Sequence, residues 1–262
     1  MVKILISHSP LFSTNGHPNP SPILIKHNVP FCHWFERALQ FHGSDTVALQ
    51  YYLLVHSVSD AEAALLSAGW THTVHPPSHV ELWDPAVDGS PVVLVSPTPS
   101  DPPYDDLTIL FDAGVWTGMS KELSTSPKGS DHYPSLSRFY CALVHRILDT
   151  SSESFIRYLR MQLHYLYAAQ LSLLSSPASL ESIDPELRQW HVDWIKGELN
   201  MPHPDTIAHE RDIRERARRG DWVLLREGSD GRGGRKFNRE LEARIRAKRA
   251  AARVSSEEAP CT

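Results

Sequence analysis

Three histidines, His72, His75 and His79, fall within eight residues, and Asp101, Asp105 and Asp106 stand just before an apolar run. Those types suit a divalent cation, with imidazole nitrogen for Zn²⁺ and carboxylate oxygen for Mg²⁺. Neither set is complete. Pro76-Pro77 interrupt any helix that would align the histidines, no cysteine or well-spaced acid joins them, and a chain with 15 histidines clusters some by chance. The acids read equally well as a solvated loop ahead of a strand. A different chemistry is offered at Gly43-Ser44, a turn whose backbone N–H groups could meet a phosphate. No Gly-x-Ser-x-Gly, Cys-x-x-Cys, Walker-type loop or dinucleotide fingerprint occurs in the sequence.

The elements around that turn run from Val29 to Trp70. A helical stretch leads into Gly43-Ser44, Tyr51-Tyr52-Leu53-Leu54-Val55 reads as a strand, and a helix closes the unit. For that helix, Ser59 and Glu62 have the spacing of a capping box, Ala61, Ala64, Leu65 and Ala68 share a face, and Gly69 takes the C′ place. Gln50 and Tyr52 are two apart, so they point to one side of the strand.

The unit resembles the core of the nucleotidyltransferase fold, in the divergent form common among fungal proteins. Val29-Pro30-Phe31 matches its opening, Gly43-Ser44 its Gly-Ser, Leu53-Leu54-Val55 the end of its catalytic strand, and Gly69-Trp70 its helix end. In that register the two metal-binding aspartates fall on Gln50 and Tyr52, and the arginine of the pattern falls on Thr46. Trp34-Phe35-Glu36 stands where the family has paired glycines. Nucleotidyl transfer needs a pair of carboxylates to hold Mg²⁺ against the triphosphate. An amide never ionises and a phenol titrates near pH ~10, so the pair here is neutral. The resemblance therefore implies a kept scaffold and a lost metal site, with Gly43 and Ser44 the remaining phosphate-binding candidates. A third carboxylate of the fold comes from a later strand, which makes Asp105 and Asp106 weak metal candidates.

Beyond Trp70, Val80–Trp83, Val92–Val95 and Leu107–Phe111 are candidate strands separated by proline-rich spacers. They suggest a small mixed sheet with helices on one face. Residues 13–22 and 117–134 read as polar loops. From Ser135 the period becomes helical: Leu136, Phe139, Tyr140, Leu143, Val144, Ile147 and Leu148 follow the i, i+3, i+4, i+7 rule. A second helix is expected from about Ser154 to Leu174, and a third from Asp184 with Pro185 in its first turn. A fourth, over 207–219, offers the pairs Glu210–Arg214 and Glu215–Arg219 and stops at Gly220.

The chain has 262 residues, 41% hydrophobic and 22% charged, which is ordinary for a globular protein. Cys32, Cys141 and Cys261 form no disulfide pattern, so a reducing compartment, cytoplasm or nucleus, is expected. Ile4-Leu5-Ile6 is too short for a signal-peptide core, and no run is apolar enough to enter a membrane. Between Asp205 and Val254 there are fifteen Lys/Arg against nine Asp/Glu, in a chain of net charge −5. Arg232, Arg235 and Lys236 are nucleic-acid candidates within this basic stretch, helped by Arg232-Gly233-Gly234. A charged, solvated tail explains the same residues.

The sequence thus predicts an α+β protein: a nucleotidyltransferase-like core over 1–130, a helical region over 131–220 and a basic extension over 221–262. Its expected role is that of a non-catalytic module binding a nucleotide, an RNA or a protein, without a cofactor. Two alternatives stand beside it. One is an active Mg²⁺-dependent transferase with ligands outside this register, such as Asp45 or Asp60 with Asp105. The other is a purely structural adaptor.

Overall fold

A computed structural model describes residues 19–48, 50–73, 91–97, 107–125, 132–170, 176–197, 199 and 204–225. The expected strand Val80–Trp83 lies outside them, as do His75, His79, Asp101, Asp105, Asp106, Arg232, Arg235 and Lys236.

The architecture is α+β. Helix α1 (Ser21–Lys26) precedes β1 (Phe31–His33), α2 (Glu36–Phe41), β2 (Tyr51–Val55), α3 (Val58–Ser67) and β3 (Thr71–His72). Next come β4 (Val92–Val95), β5 (Leu107–Asp112), a 3-10 turn at Ala113–Val115 and α4 (Met119–Thr125). The later part is helical: α5 (Leu136–Asp149), α6 (Glu153–Ala169), α7 (Pro177–Ser182), a 3-10 turn at Pro185–Leu187, α8 (Arg188–Ile195) and α9 (Pro204–Arg218). The sheet has the order β1-β2-β5-β4-β3, with β2 and β5 parallel and the other pairs antiparallel. No helix of the described residues is long and apolar enough to cross a membrane.

Helices cover both faces of the sheet, not the single face expected. Leu53, Val55, Leu94 and Leu110 pack on Leu24 of α1 and on Ala61, Ala64 and Leu65 of α3. Tyr52, Leu54, Ile109 and Phe111 pack on the helical half. Every residue of β2 is buried, which is why its sequence is an unbroken apolar run without alternation. The sheet-to-helix change near residue 130 is one of element type, because a single apolar cluster runs from Cys32 to Ile207. α5 is its axis. From Phe139 onward the predicted stripe is buried, with Leu136 half-buried at its start, and Cys141, Ala142, His145 and Arg146 on the other sides are buried too.

Several boundaries differ from the sequence reading. The segment 117–134 contains α4, whose Met119 and Leu123 supply only two buried apolar positions, a pattern too sparse to read as a helix. α1 starts inside the expected loop 13–22, with Pro20 as its N-cap. α6 ends at Ala169, and α8 is entered through a 3-10 turn begun by Pro185. Arg214 pairs with Asp149 Oδ1 at 2.7 Å and with Glu215 at 3.2 Å, while Glu215 bonds Arg218 at 2.9 Å. α9 is thus held by the end of α5 as well as by pairs along its own surface. Arg211 completes that clamp by donating to the carbonyls of Leu148 and Thr150.

The cap of α3 is Ser57, two residues before the predicted Ser59. Ser57 is extended and its Oγ accepts from Asp60 N at 3.3 Å. Ser59 merely shares a hydroxyl contact with Ser57 at 3.2 Å. Ala68 is exposed, but Gly69 has the positive φ of +94° that a C′ residue needs. Trp70 N then reaches Leu65 O at 3.1 Å, closing the helix end. Ser57→Ala should cost about 1 kcal/mol of stability and Ser59→Ala only a few tenths, read as paired urea midpoints. Equal losses would refute this assignment of the cap.

After α9, Gln189 of α8 grips the chain. Its Oε1 accepts from Leu225 N at 2.7 Å and Trp222 Nε1 at 3.2 Å, and its Nε2 donates to Leu225 O at 3.0 Å.

Candidate functional site

The strand β2 and the residue just before it, Gln50, bring the two positions that the sequence singled out onto the face toward α6. Gln50 and Tyr52 meet there, the phenol donating to Gln50 Oε1 at 2.6 Å. Both are largely buried, and burial pushes the Tyr52 hydroxyl far above its usual titration range, with Glu36 adding to the effect. The pair is neutral and spent on itself.

Glu36, at the start of α2, is the acid of this face. Its Oε1 accepts from Tyr158 Oη at 2.7 Å and from Gln162 Nε2 at 2.8 Å, both on α6. Burial holds its carboxyl above the usual carboxylate range, partly offset by the hydrogen bonds from Tyr158, its own backbone and Gln162. Among the described residues no cation pairs with it. Arg37, the adjacent cation, lies over the Tyr51 ring at 3.7 Å instead. Gln162 is fully buried and its Oε1 has no donor among the described residues.

Phe35 explains how Glu36 is delivered. It has φ +49° and ψ −121°, a conformation that suits glycine and costs another residue of order 1–3 kcal/mol. The strain is held by packing. Phe35 meets Tyr52, Phe111, Trp116 and Tyr158 edge-on, at centroid distances of 5.3, 6.0, 5.7 and 5.0 Å. Four such contacts, each worth about 0.5–1.5 kcal/mol, outweigh the backbone term. This is the place where the resemblance expects paired glycines, and the backbone still adopts a glycine-like shape.

The turn at Gly43-Ser44 is the C-terminal cap of α2. Gly43 has φ +90°, its N–H bonds Gln40 O at 2.9 Å, and Ser44 N bonds Leu39 O at 3.0 Å. Both amides are committed to the helix end, so neither is available to a phosphate in this structure. Gln170, the C-cap of α6, also donates to the His42 carbonyl beside them. Thr46, at the place of the family's arginine, gives its carbonyl to Gln40 Nε2 at 2.8 Å.

Asp105, which the alternative pairs with either Asp45 or Asp60, lies outside the described residues. Asp45 is exposed before β2 and Asp60 is exposed in the first turn of α3 beyond it. His72 bonds Glu62 at 3.0 Å, and no group of three or more His, Cys, Asp or Glu suited to a metal occurs among the described residues.

Sequence reasoning missed Glu36, Tyr158 and Gln162 as partners. Glu36 is the only one that left a trace, as a carboxylate in an apolar context where the family has glycine. A second constellation, Cys141, His145 and Asp184, also emerges from the fold. Its arrangement is wrong for a nucleophile: His145 Nε2 bonds Asp184 Oδ2 at 3.3 Å, His145 Nδ1 faces Arg218 at 3.4 Å, and Cys141 Sγ accepts from Asp184 N at 3.4 Å. Burial pushes the Cys141 thiol up to about 12, so the thiolate is not populated at neutral pH. Asp184 is held below the usual range by the His145 hydrogen bond and by the Arg138 charge, against the opposing effect of burial. These residues tie α5 to the 3-10 turn at Pro185–Leu187 and to α9.

No protein-family model, no curated protein and no solved structure matches this chain.

Proposed function

We propose that this chain is a non-catalytic binding module resembling the nucleotidyltransferases. Its partner is a macromolecule, an RNA or a protein, met outside the Gln50–Tyr52 face. One observation carries the reading: the positions that would hold Mg²⁺ form a neutral Tyr52–Gln50 hydrogen bond in a buried setting. Phosphoryl transfer relies on metal and cationic stabilisation of charge developing on the phosphates. Here Glu36 is the carboxyl that faces that strand among the described residues, and Tyr158 and Gln162 of α6 occupy it. Free nucleotide is the weaker partner class, because Gly43 N and Ser44 N already cap α2. The basic stretch containing Arg232, Arg235 and Lys236 is the feature that favours RNA, while a protein partner would be met through exposed apolar side chains such as Phe41.

The deciding experiment is calorimetric titration of the full chain with nucleoside triphosphates, with and without Mg²⁺, alongside an assay for nucleotidyl transfer. Heat that is absent or indifferent to the metal, with no transfer, is expected. Binding that requires Mg²⁺, or any turnover abolished by Tyr52→Phe, would establish the transferase instead.

A further inference from the structure

The Glu36 carboxyl joins elements far apart in the chain. It starts α2, yet both donors to its Oε1 belong to α6, Tyr158 at 2.7 Å and Gln162 at 2.8 Å. The groups around it offer no counter-charge. Tyr52 faces it from β2 and Tyr158 from α6, both phenols whose ionisation burial suppresses. On its own helix, Arg37 is turned onto the Tyr51 ring. An ionised carboxylate here has two side-chain donors and its own backbone N–H, and among the described residues no cation, whereas water would hydrate it fully.

The surroundings also have a place for a proton. Gln162 Oε1 lacks a donor, and turning the Gln162 amide over would bring that oxygen to the position where Nε2 now stands, 2.8 Å from Glu36 Oε1. A protonated Glu36 could then donate to it. The segment next to the carboxyl is under tension as well, since Phe35 holds φ +49° only through its ring contacts. An element that is strained and fastened by one titratable group has two states within easy reach.

We propose that Glu36 is a proton-controlled latch between α2 and α6: protonated, it stays seated between Tyr158 and Gln162, and ionised, it lets the first turn of α2 release. The inference rests on this geometry alone and does not depend on whether the chain has transferase activity. Its sign follows from linkage. A carboxyl held above its ordinary value stabilises the closed form below that value, and the contribution disappears as pH rises through the higher, folded one.

The test is amide hydrogen exchange of residues 36–41 in the full chain, at about pH 5 and about pH 8, corrected for intrinsic exchange rates. Protection should fall by up to about tenfold per unit of pH between the ordinary carboxylate value and the higher, folded one, and level off above it. Glu36→Gln, which keeps the shape without the charge, should make protection independent of pH. Tyr158→Phe removes a donor that favours the ionised form, so it should move the transition to higher pH. Protection of α2 that is flat with pH in the unmodified protein would overturn the latch. So would a pH dependence that survives Glu36→Gln, or a transition that Tyr158→Phe leaves in place.

Discussion

Trp34→Ala is expected to lower the unfolding free energy by about 3–5 kcal/mol, a large share of the stability of a typical domain. Trp34 is 0% exposed and stands at the junction of the strand β1 with the helical half. Its ring meets Trp116 and Phe139 at 4.9 Å each and Phe35 at 5.9 Å. No hydrogen bond is lost with it, because Nε1 has no acceptor among the described residues. The whole cost is therefore packing and cavity, and Trp34→Phe should restore more than half of it. Urea denaturation followed by circular dichroism measures both variants. A loss under ~1 kcal/mol for the alanine variant would mean that the surrounding rings close over the gap, contrary to the close packing expected of such a core.

Tyr52→Asp is expected to be at least as damaging, and its damage should depend on pH. The substitution removes the ring that packs on Phe35 at 5.3 Å and Phe111 at 6.3 Å. It also breaks the 2.6 Å bond to Gln50 and places a second carboxyl on the face that holds Glu36. Removal of a buried aromatic and burial of an unpaired charge each cost on the order of 3 kcal/mol at neutral pH. The new carboxyl, desolvated and beside an acid, should have a raised folded value. Part of the lost stability must therefore return as pH falls, when both groups take up protons. Midpoints recorded across a pH series give the sign directly. If the variant were instead least stable in acid, or if Mg²⁺ restored it fully, this face would be an ion site with its ligands missing.

The sequence made β2 and α5 readable because each announces itself locally. The run Tyr51–Val55 is apolar throughout, and the stripe from Leu136 to Leu148 keeps a helical period. The cap of α3 was harder. Ser57 with Asp60 and Ser59 with Glu62 have the same three-residue spacing, and only the extended backbone at Ser57 chooses between them. The site was half legible. The shared side of Gln50 and Tyr52 follows from strand geometry, but nothing near Glu36 in sequence says that Tyr158, 122 residues later, will donate to it. The Gly43-Ser44 turn shows the converse limit. Its residue types fit a phosphate loop and a helix cap equally, and the hydrogen-bond partners that decide between them are backbone carbonyls, which carry no sequence signature.

The grip of Gln189 on Leu225 has a mechanical consequence. One amide group engages both the N–H and the C=O of Leu225, much as a neighbouring strand would. A tug on the chain beyond that point is delivered to α8 through this side chain, with the Trp222 indole sharing part of the load. Whatever grasps the following residues thus pulls against an anchored end, and the load enters the core at α8.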